Sequence, residues 1–239
     1  MLFIKEIITS KDIDIIANLK LIFGRAKNWK VYIYSLFNSF VDGVIFVFLS
    51  LYIIIQTPLL EAEGATIEIL GTNTDLYTPN AFVSFIIGLG VIVGSLIGGY
   101  ISDLKSRKIS VYASLLITCS SLLLLLIPAP VPILIFFAFL IGSSSGWRNS
   151  SFSAVIGQIS TQYPKVDSTY YATCNSFANI GAVLGLQITG LLFASLIGLD
   201  SYMIYAIIFL FMAFLSSIGI IPFRTINAEE YELNLDEKK

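Results

Sequence analysis

Residues 80–108, NAFVSFIIGLGVIVGSLIGGYISDLKSRK, form an uncharged apolar run that ends in a cluster of charges. Residues 80–101 contain no Asp, Glu, Lys or Arg. A helix of about 20 apolar residues is long enough to cross a bilayer. The basic residues that follow, Lys105, Arg107 and Lys108, are typical of a cytoplasmic loop between two spans. This stretch therefore predicts a transmembrane helix followed by a short cytoplasmic turn.

The alternation of apolar runs and short polar segments continues through the 239-residue chain. Hydrophobic residues make up 56% of the sequence, charged residues only 13%, and the mean hydropathy is +0.85, as is typical of a membrane protein. The apolar runs that we interpret as transmembrane helices are approximately 31–55, 80–101, 109–127, 131–158, 169–196 and 201–223. The sequence thus predicts an all-α integral membrane protein with a six-helix bundle.

Three segments follow from this pattern. Residues 1–30 form a cytoplasmic N-terminal segment, residues 31–223 form the six-helix transmembrane domain, and residues 224–239 form a cytoplasmic tail that is charged enough to be disordered. Residues 11–23 place apolar side chains on one helical face, which predicts an interfacial amphipathic helix, with a mobile arm as the alternative.

The distribution of Lys and Arg predicts the orientation. The loop at 56–79 carries acidic residues and no Lys or Arg, whereas the loop at 103–108 is basic. Because basic residues favour the cytoplasmic side, the second loop and both termini are expected in the cytoplasm. We expect a multi-pass protein of the plasma membrane, in contact with lipid.

Composition also excludes several function classes. The chain has no histidine, and its two cysteines, Cys119 and Cys174, lie inside apolar runs. His-based metal sites, Cys–His nucleophiles and His proton relays are therefore excluded, and no hydrolase motif is present. The net charge of −2 comes without a basic patch that would indicate a nucleic-acid partner. The sequence predicts neither an enzyme nor a metal or cofactor site.

Glycines recur along one face of the predicted second helix. Gly90, Gly94 and Gly98 are spaced by four residues, and Gly99 extends the face. A helix face without side chains allows a neighbouring helix to approach closely. Simple helix packing is therefore one interpretation of this pattern.

The stretch from Gly90 to Lys108 resembles the cytoplasmic loop signature of the major facilitator superfamily in its two glycines, its Asp and its basic cluster. The matching residues are Gly90, Gly99, Asp103, Lys105, Arg107 and Lys108. The resemblance implies a cytoplasmic gate, in which Asp103 accepts from backbone N–H groups that begin the third helix or pairs with a basic group. It also implies a glycine face that packs on a helix of a second half. The alternative is that the glycines only pack and the charges only set topology.

Members of that superfamily have twelve helices in two halves, with the solute bound between them. This sequence resembles one half. The resemblance therefore implies a secondary active half-transporter that works by alternating access as a homodimer or with a partner half. The alternative is a six-helix scaffold or a truncated remnant that transports nothing.

Charged residues inside predicted spans are costly in lipid and usually face a cavity. Asp42 lies in the first span and Arg148 in the fourth, the two helices that line the cavity in the resembling family. Helix packing is the alternative for Asp42, and snorkelling to the interface is the alternative for Arg148.

Amides complete the predicted cavity. The residues in question are Asn38, Asn149, Asn175 and Asn179. Asn175 and Asn179 lie four residues apart and share one helical stripe. These amides can hydrogen-bond a small polar or anionic solute, with H⁺ or Na⁺ as the coupling ion, or can instead join helices to one another.

Overall fold

The computed structural model describes residues 15–55, 67–69, 72–74 and 77–232. Apart from a short hairpin in the first loop, the regular elements of these residues are helical. The elements are α1 Ile15–Phe23, α2 Ala26–Asn38, α3 Asp42–Val44, a π-helical turn Ile45–Leu49, α4 Ser50–Ile55, β1 Ile67–Ile69, β2 Thr72–Thr74, α5 Tyr77–Leu104, α6 Arg107–Leu124, α7 Val131–Ser160, α8 Asp167–Ser195, α9 Ser201–Ile218, α10 Ile220–Arg224 and α11 Ala228–Tyr231. The predicted all-α class is confirmed.

Six helical stretches of the described chain are long and apolar enough to cross a membrane. We call them the first to sixth spans: Ala26–Ile54, Asn80–Leu104, Arg107–Leu124, Val131–Ser160, Asp167–Ser195 and Ser201–Arg224. They coincide with the six predicted runs, and the fourth span is the longest because it continues to Ser160.

The first span is not a continuous α-helix. After Asn38 the chain turns through Ser39–Val41, where the N–H groups of Phe40 and Asp42 donate to carbonyls three residues earlier, at 3.4 and 3.1 Å. Ser, Asp and Gly are weak helix formers, and Ser39, Asp42 and Gly43 are all found within this short stretch. The interruption places Asp42 at the start of a new helical segment near the middle of the span.

The second and fourth spans are in close contact. A Cβ added at Gly94 would collide with the backbone of Ser143, and one added at Gly90 would collide with the carbonyl of Phe139. The contact is reciprocal, because Gly146 lies against the carbonyl of Val91. The glycine face therefore packs on the fourth span of the same chain. The expectation that it packs on a second half is wrong, since glycines in two facing spans of this half already match each other.

A second close pair joins the first and fifth spans. Gly181 lies against the carbonyl of Leu36, and Gly185 lies against the carbonyl of Phe40. Residues of the fifth span are thereby held beside the interruption in the first.

Two apolar clusters fill the interior on either side of this region. One contains Tyr52 and Phe209, and the other contains Tyr32, Tyr170 and Phe223. Aromatic rings contribute much of the second cluster: the Tyr32 ring lies 5.9 Å from that of Tyr170. Large buried rings of this kind stabilise helix contacts by dispersion as well as by excluding water.

The described residues include short helices before the first span and after the sixth. Helix α1 exposes Ile16, Leu19 and Phe23 and buries Ile22. Its place at a membrane interface stays a prediction, and residues 11–14 lie outside the described residues. Residues 224–232 differ from the predicted disordered tail, because Tyr231 is only 2% exposed and its ring lies 5.1 Å from that of Phe223.

Candidate functional site

A polar cavity of about 390 Å³ lies between the first, fourth and fifth spans. We call it the central cavity. Its lining residues are Ser39, Asp42, Asn149, Phe152, Ser153, Asn175, Ala178 and Asn179. Four of the six predicted cavity residues, Asp42, Asn149, Asn175 and Asn179, are therefore brought together. Sequence reasoning missed Ser39, Phe152, Ser153 and Ala178, although Ser153 lies one helical turn after Asn149.

Asp42 is the one charged side chain among the residues that line the central cavity. The Ser145 hydroxyl donates a hydrogen bond of 3.2 Å to Asp42 Oδ1. The helix interruption directs this carboxylate toward the fourth span. The neighbouring Gly43 packs closely on the fifth span, where an added Cβ would lie 3.1 Å from the carbonyl oxygen of Ala182. The cavity therefore presents a single carboxylate surrounded by amide and hydroxyl groups.

Arg148 does not line the central cavity. Its side chain is 1% exposed, and its Nη2 donates to the carbonyl of Phe37 at 3.4 Å. That carbonyl belongs to the last turn of α2, where it also accepts the hydrogen bond from the Phe40 N–H and where the partial negative charge of the helix end attracts a cation. The expectation of a cavity-facing Arg148 is corrected: the guanidinium is drawn to the interrupted backbone of the first span.

Asn38 also lies away from the central cavity. It is 1% exposed, and neither polar atom of its side chain has a hydrogen-bond partner among the residues that the structure describes. The same holds for the hydroxyl of Tyr34 and for Nε and Nη1 of Arg148, whose charge interacts with Asp42 and Tyr34. Unpaired buried polar atoms cost roughly 1–3 kcal/mol each. These unpaired atoms therefore destabilise this conformation, and a conformation that gave them hydrogen-bond partners would be more stable.

The predicted gate residues fall into two groups. Asp103, Lys105 and Lys108 are exposed, whereas Arg107 is buried and its Nη1 donates to Gln158 Oε1 at 2.9 Å and to the carbonyl of Tyr231 at 2.8 Å. Gly90 and Gly99 both face the fourth span. A Cβ added at Gly99 would lie 3.2 Å from Ser150 Oγ. Of the charged residues in the signature, Arg107 alone is bonded through its side chain to another described residue.

The N-terminus of the third span is capped by Glu232, which sequence reasoning missed. Its carboxylate accepts hydrogen bonds from the Ser106 hydroxyl at 2.6 Å and from the N–H groups of Arg107 and Lys108 at 3.1 and 2.9 Å. The role expected of Asp103 is thus performed by Glu232. A carboxylate at a helix N-terminus satisfies free N–H groups and the helix dipole. No local sequence signal could have found it, because 126 positions separate it from Ser106.

We predict that Glu232→Ala lowers the stability of the protein. The substitution leaves two N–H groups without a partner and should cost about 1–2 kcal/mol. Thermal unfolding in detergent measures the effect, and Glu229→Ala, an exposed neighbour, is the matched control. Equal unfolding temperatures for the two variants would contradict the capping role.

Four polar segments meet at one end of the bundle. Gln162 Nε2 donates to the carbonyl of Glu230 at 2.9 Å, and Tyr163 donates through its hydroxyl to Asn28 Oδ1 at 2.6 Å. Lys30 Nζ donates to the carbonyl of Thr225 at 3.3 Å. The start of the first span, the turns after the second and fourth spans, and the region after the sixth span therefore lie at the same end of the bundle.

Comparison with known proteins decides the family. The model of the Major Facilitator Superfamily matches residues 31–239. The chain belongs to this superfamily. Superfamily members are membrane transporters and not enzymes, which agrees with the sequence prediction. The chain is accordingly a multi-pass membrane protein with the fold of a transporter.

One solved structure illustrates the shared fold. A mutant of the peptide transporter POT, crystallised in complex with sulfate, matches this major facilitator chain with a TM-score of 0.63 at 17% sequence identity. The match covers 90% of this chain and 43% of the transporter, so the chain spans less than half of that protein's length. No curated protein matches the sequence.

Proposed function

We propose that this chain is one half of a secondary active transporter for a small polar solute, and that it works by alternating access. The observation that carries the proposal is the central cavity, in which Asp42 and three asparagines from the first, fourth and fifth spans face the same space. A ligand site with a few convergent polar groups in an otherwise apolar bundle is the usual form of a solute site. Asp42 is the group that would carry H⁺ or bind Na⁺ as the coupling ion.

The charge of the cavity favours a neutral or cationic solute. Sequence analysis led us to expect a polar or anionic solute, and an anion would need Arg148 to face the cavity. Arg148 instead lies against the backbone of the first span and is 1% exposed. Asp42 would repel an anion and attract a cation, an effect that is large where water is scarce.

Uptake into proteoliposomes tests the proposal. Polar solutes are first screened by thermal stabilisation of the purified protein, and those that stabilise are assayed for uptake with and without a proton or sodium gradient. Asn175→Leu and Asn179→Leu should strongly reduce uptake because each replaces an amide of the central cavity with a side chain that cannot form hydrogen bonds. Gln187→Leu is the matched control, since Gln187 lies on the same helical stripe but does not line the cavity. Folded protein that transports no screened solute would instead favour a scaffold role.

The functional unit should contain at least twelve helices. Asn179 and Ser153 line the cavity and are exposed, and polar groups left in lipid are costly. A second copy of this chain or a separate six-helix half would cover them. Mass measurement of active protein in a mild detergent checks the prediction, and a monomer that is competent for transport would contradict it.

We propose that the shared polar end of the bundle is cytoplasmic and that the protein resides in the plasma membrane. The basic turn after the second span supports this orientation. In a background with Cys119→Ser and Cys174→Ser, single cysteines at Thr72 and Ser106 test it. An impermeant thiol reagent added to right-side-out membranes should label Thr72→Cys and spare Ser106→Cys; the opposite labelling would reverse the orientation.

A further inference from the structure

A second cavity, of about 380 Å³, lies where the third span begins and the sixth span ends. We call it the basic pocket. Its lining residues are Lys108, Tyr112, Arg224, Ile226, Asn227, Ala228 and Tyr231. It shares no lining residue with the central cavity, and of the residues in the family signature it includes Lys108 alone.

Two positively charged side chains line the basic pocket. Lys108 and Arg224 are exposed, and neither side chain forms a hydrogen bond or ion pair with another described residue. None of the residues that line the pocket is acidic, and the carboxylate of Glu232 is directed to the Ser106 hydroxyl and two backbone N–H groups at the start of the third span. The net charge available to a ligand in the pocket is therefore positive.

The basic pocket lies at the ends of two spans, where lipid headgroups are expected. Lys108 is in the first turn of the third span and Arg224 is the last residue of the sixth. Tyr112, one turn deeper than Lys108, packs edge-on against Phe223 with ring centroids 5.7 Å apart. Tyrosines and basic residues at the ends of spans are typical of the interface between hydrocarbon and water.

Apolar surface extends from the basic pocket along both spans. Leu116, one turn beyond Tyr112, is 68% exposed, and Ile221, one turn before the end of the sixth span, is 67% exposed. A molecule with a charged head in the pocket and acyl chains along these side chains would satisfy both surfaces. A soluble anion would contact only the charged pocket and would leave the apolar side chains uncovered.

We propose that the basic pocket binds the phosphate group of an anionic phospholipid. Arg224 can hold two phosphate oxygens through its planar guanidinium, Lys108 adds a second positive charge, and the side chains of Asn227 and Tyr112 supply neutral donors. Basic pockets between spans on the cytoplasmic side are suited to such headgroups. The bound lipid would join the third span to the segment that follows the sixth.

Lipid titration of the full-length protein tests the assignment. The protein is placed in phosphatidylcholine nanodiscs that contain increasing phosphatidylglycerol, and bound lipid is counted by native mass spectrometry after release into detergent. Each of Lys108→Gln and Arg224→Gln should weaken retention of phosphatidylglycerol about fivefold, and the double variant about 25-fold, from roughly 1 kcal/mol for each basic residue near the surface. Retention of phosphatidylcholine should not change.

Two controls make the outcome decisive. The double variant Lys20→Gln, Lys165→Gln removes the same charge from exposed positions outside the pocket and should retain phosphatidylglycerol as the unmodified protein does. The charge-preserving variant Lys108→Arg, Arg224→Lys should also retain it, which separates loss of charge from loss of fold. Equal losses in the pocket and control variants would overturn the proposal, as would inorganic phosphate that displaces the lipid and stabilises the protein to the same extent.

Discussion

Gly94→Leu should leave little or no folded protein. The Cβ of any residue at this position would overlap the backbone of Ser143, where the second and fourth spans are closest. Because the position of a Cβ is fixed by its own backbone, no rotamer change can relieve this collision. The two spans must separate and lose contacts along their whole interface. Overpacking of this kind typically costs 1–3 kcal/mol and here should exceed about 3 kcal/mol, because a Leu side chain adds further atoms to the collision.

Gly88→Leu is the matched control for this substitution. Gly88 lies on the same span, and a Cβ built there meets no atom within 4 Å. Size-exclusion profiles and thermal unfolding of the two variants in detergent should differ sharply, with Gly88→Leu close to the unmodified protein. Similar behaviour of the two would mean that the close contact between the spans contributes little to folding.

Asp42→Asn should abolish gradient-driven uptake while the protein remains folded. The carboxylate is the only charge among the residues that line the central cavity, and it accepts a hydrogen bond from Ser145. Asn keeps the size and one acceptor oxygen but cannot bind or release a proton or attract a cation. Asp42 interacts with the charge of Arg148. Removing one member of a buried charge interaction costs at least about 2 kcal/mol, so we expect the rate of uptake to fall roughly 30-fold or more.

The control is Asp167→Asn, at the exposed start of the fifth span. Initial uptake rates in proteoliposomes with equal protein content separate the two variants. If exchange of internal for external solute survives in Asp42→Asn while accumulation is lost, Asp42 serves the coupling ion. Loss of both places Asp42 in solute recognition, and unchanged accumulation would exclude Asp42 from either role.

The six spans could be predicted because each is a long apolar run with charges only near its ends, apart from Asp42 and Arg148. The interruption of the first span could not. Phe40 and Val41 continue the apolar pattern through the turn, and hydropathy does not record which backbone groups are paired. The weak helix formers Ser39 and Gly43 were a signal in retrospect.

The central cavity was predicted in part for a similar reason. Asn175 and Asn179 follow helical spacing, so one stripe of the fifth span could be recognised from sequence. Whether Arg148 faces that stripe depends on its contact with the carbonyl of Phe37 at the interruption of the first span, a tertiary feature without a local pattern. Glu232 illustrates the same limit, because its partners at the third span are distant in sequence and close only after folding.

The π-helical turn Ile45–Leu49 changes the rotational phase of the first span. Such a turn accommodates one more residue than an α turn, so every side chain beyond it is rotated by about 100° relative to an uninterrupted helix. Beyond the turn, the ring of Tyr52 packs against Tyr205 and Phe209 of the sixth span, with ring centroids 5.4 and 5.2 Å apart. Deletion of one residue within the turn would restore a regular helix and move the ring of Tyr52 out of register with the sixth span.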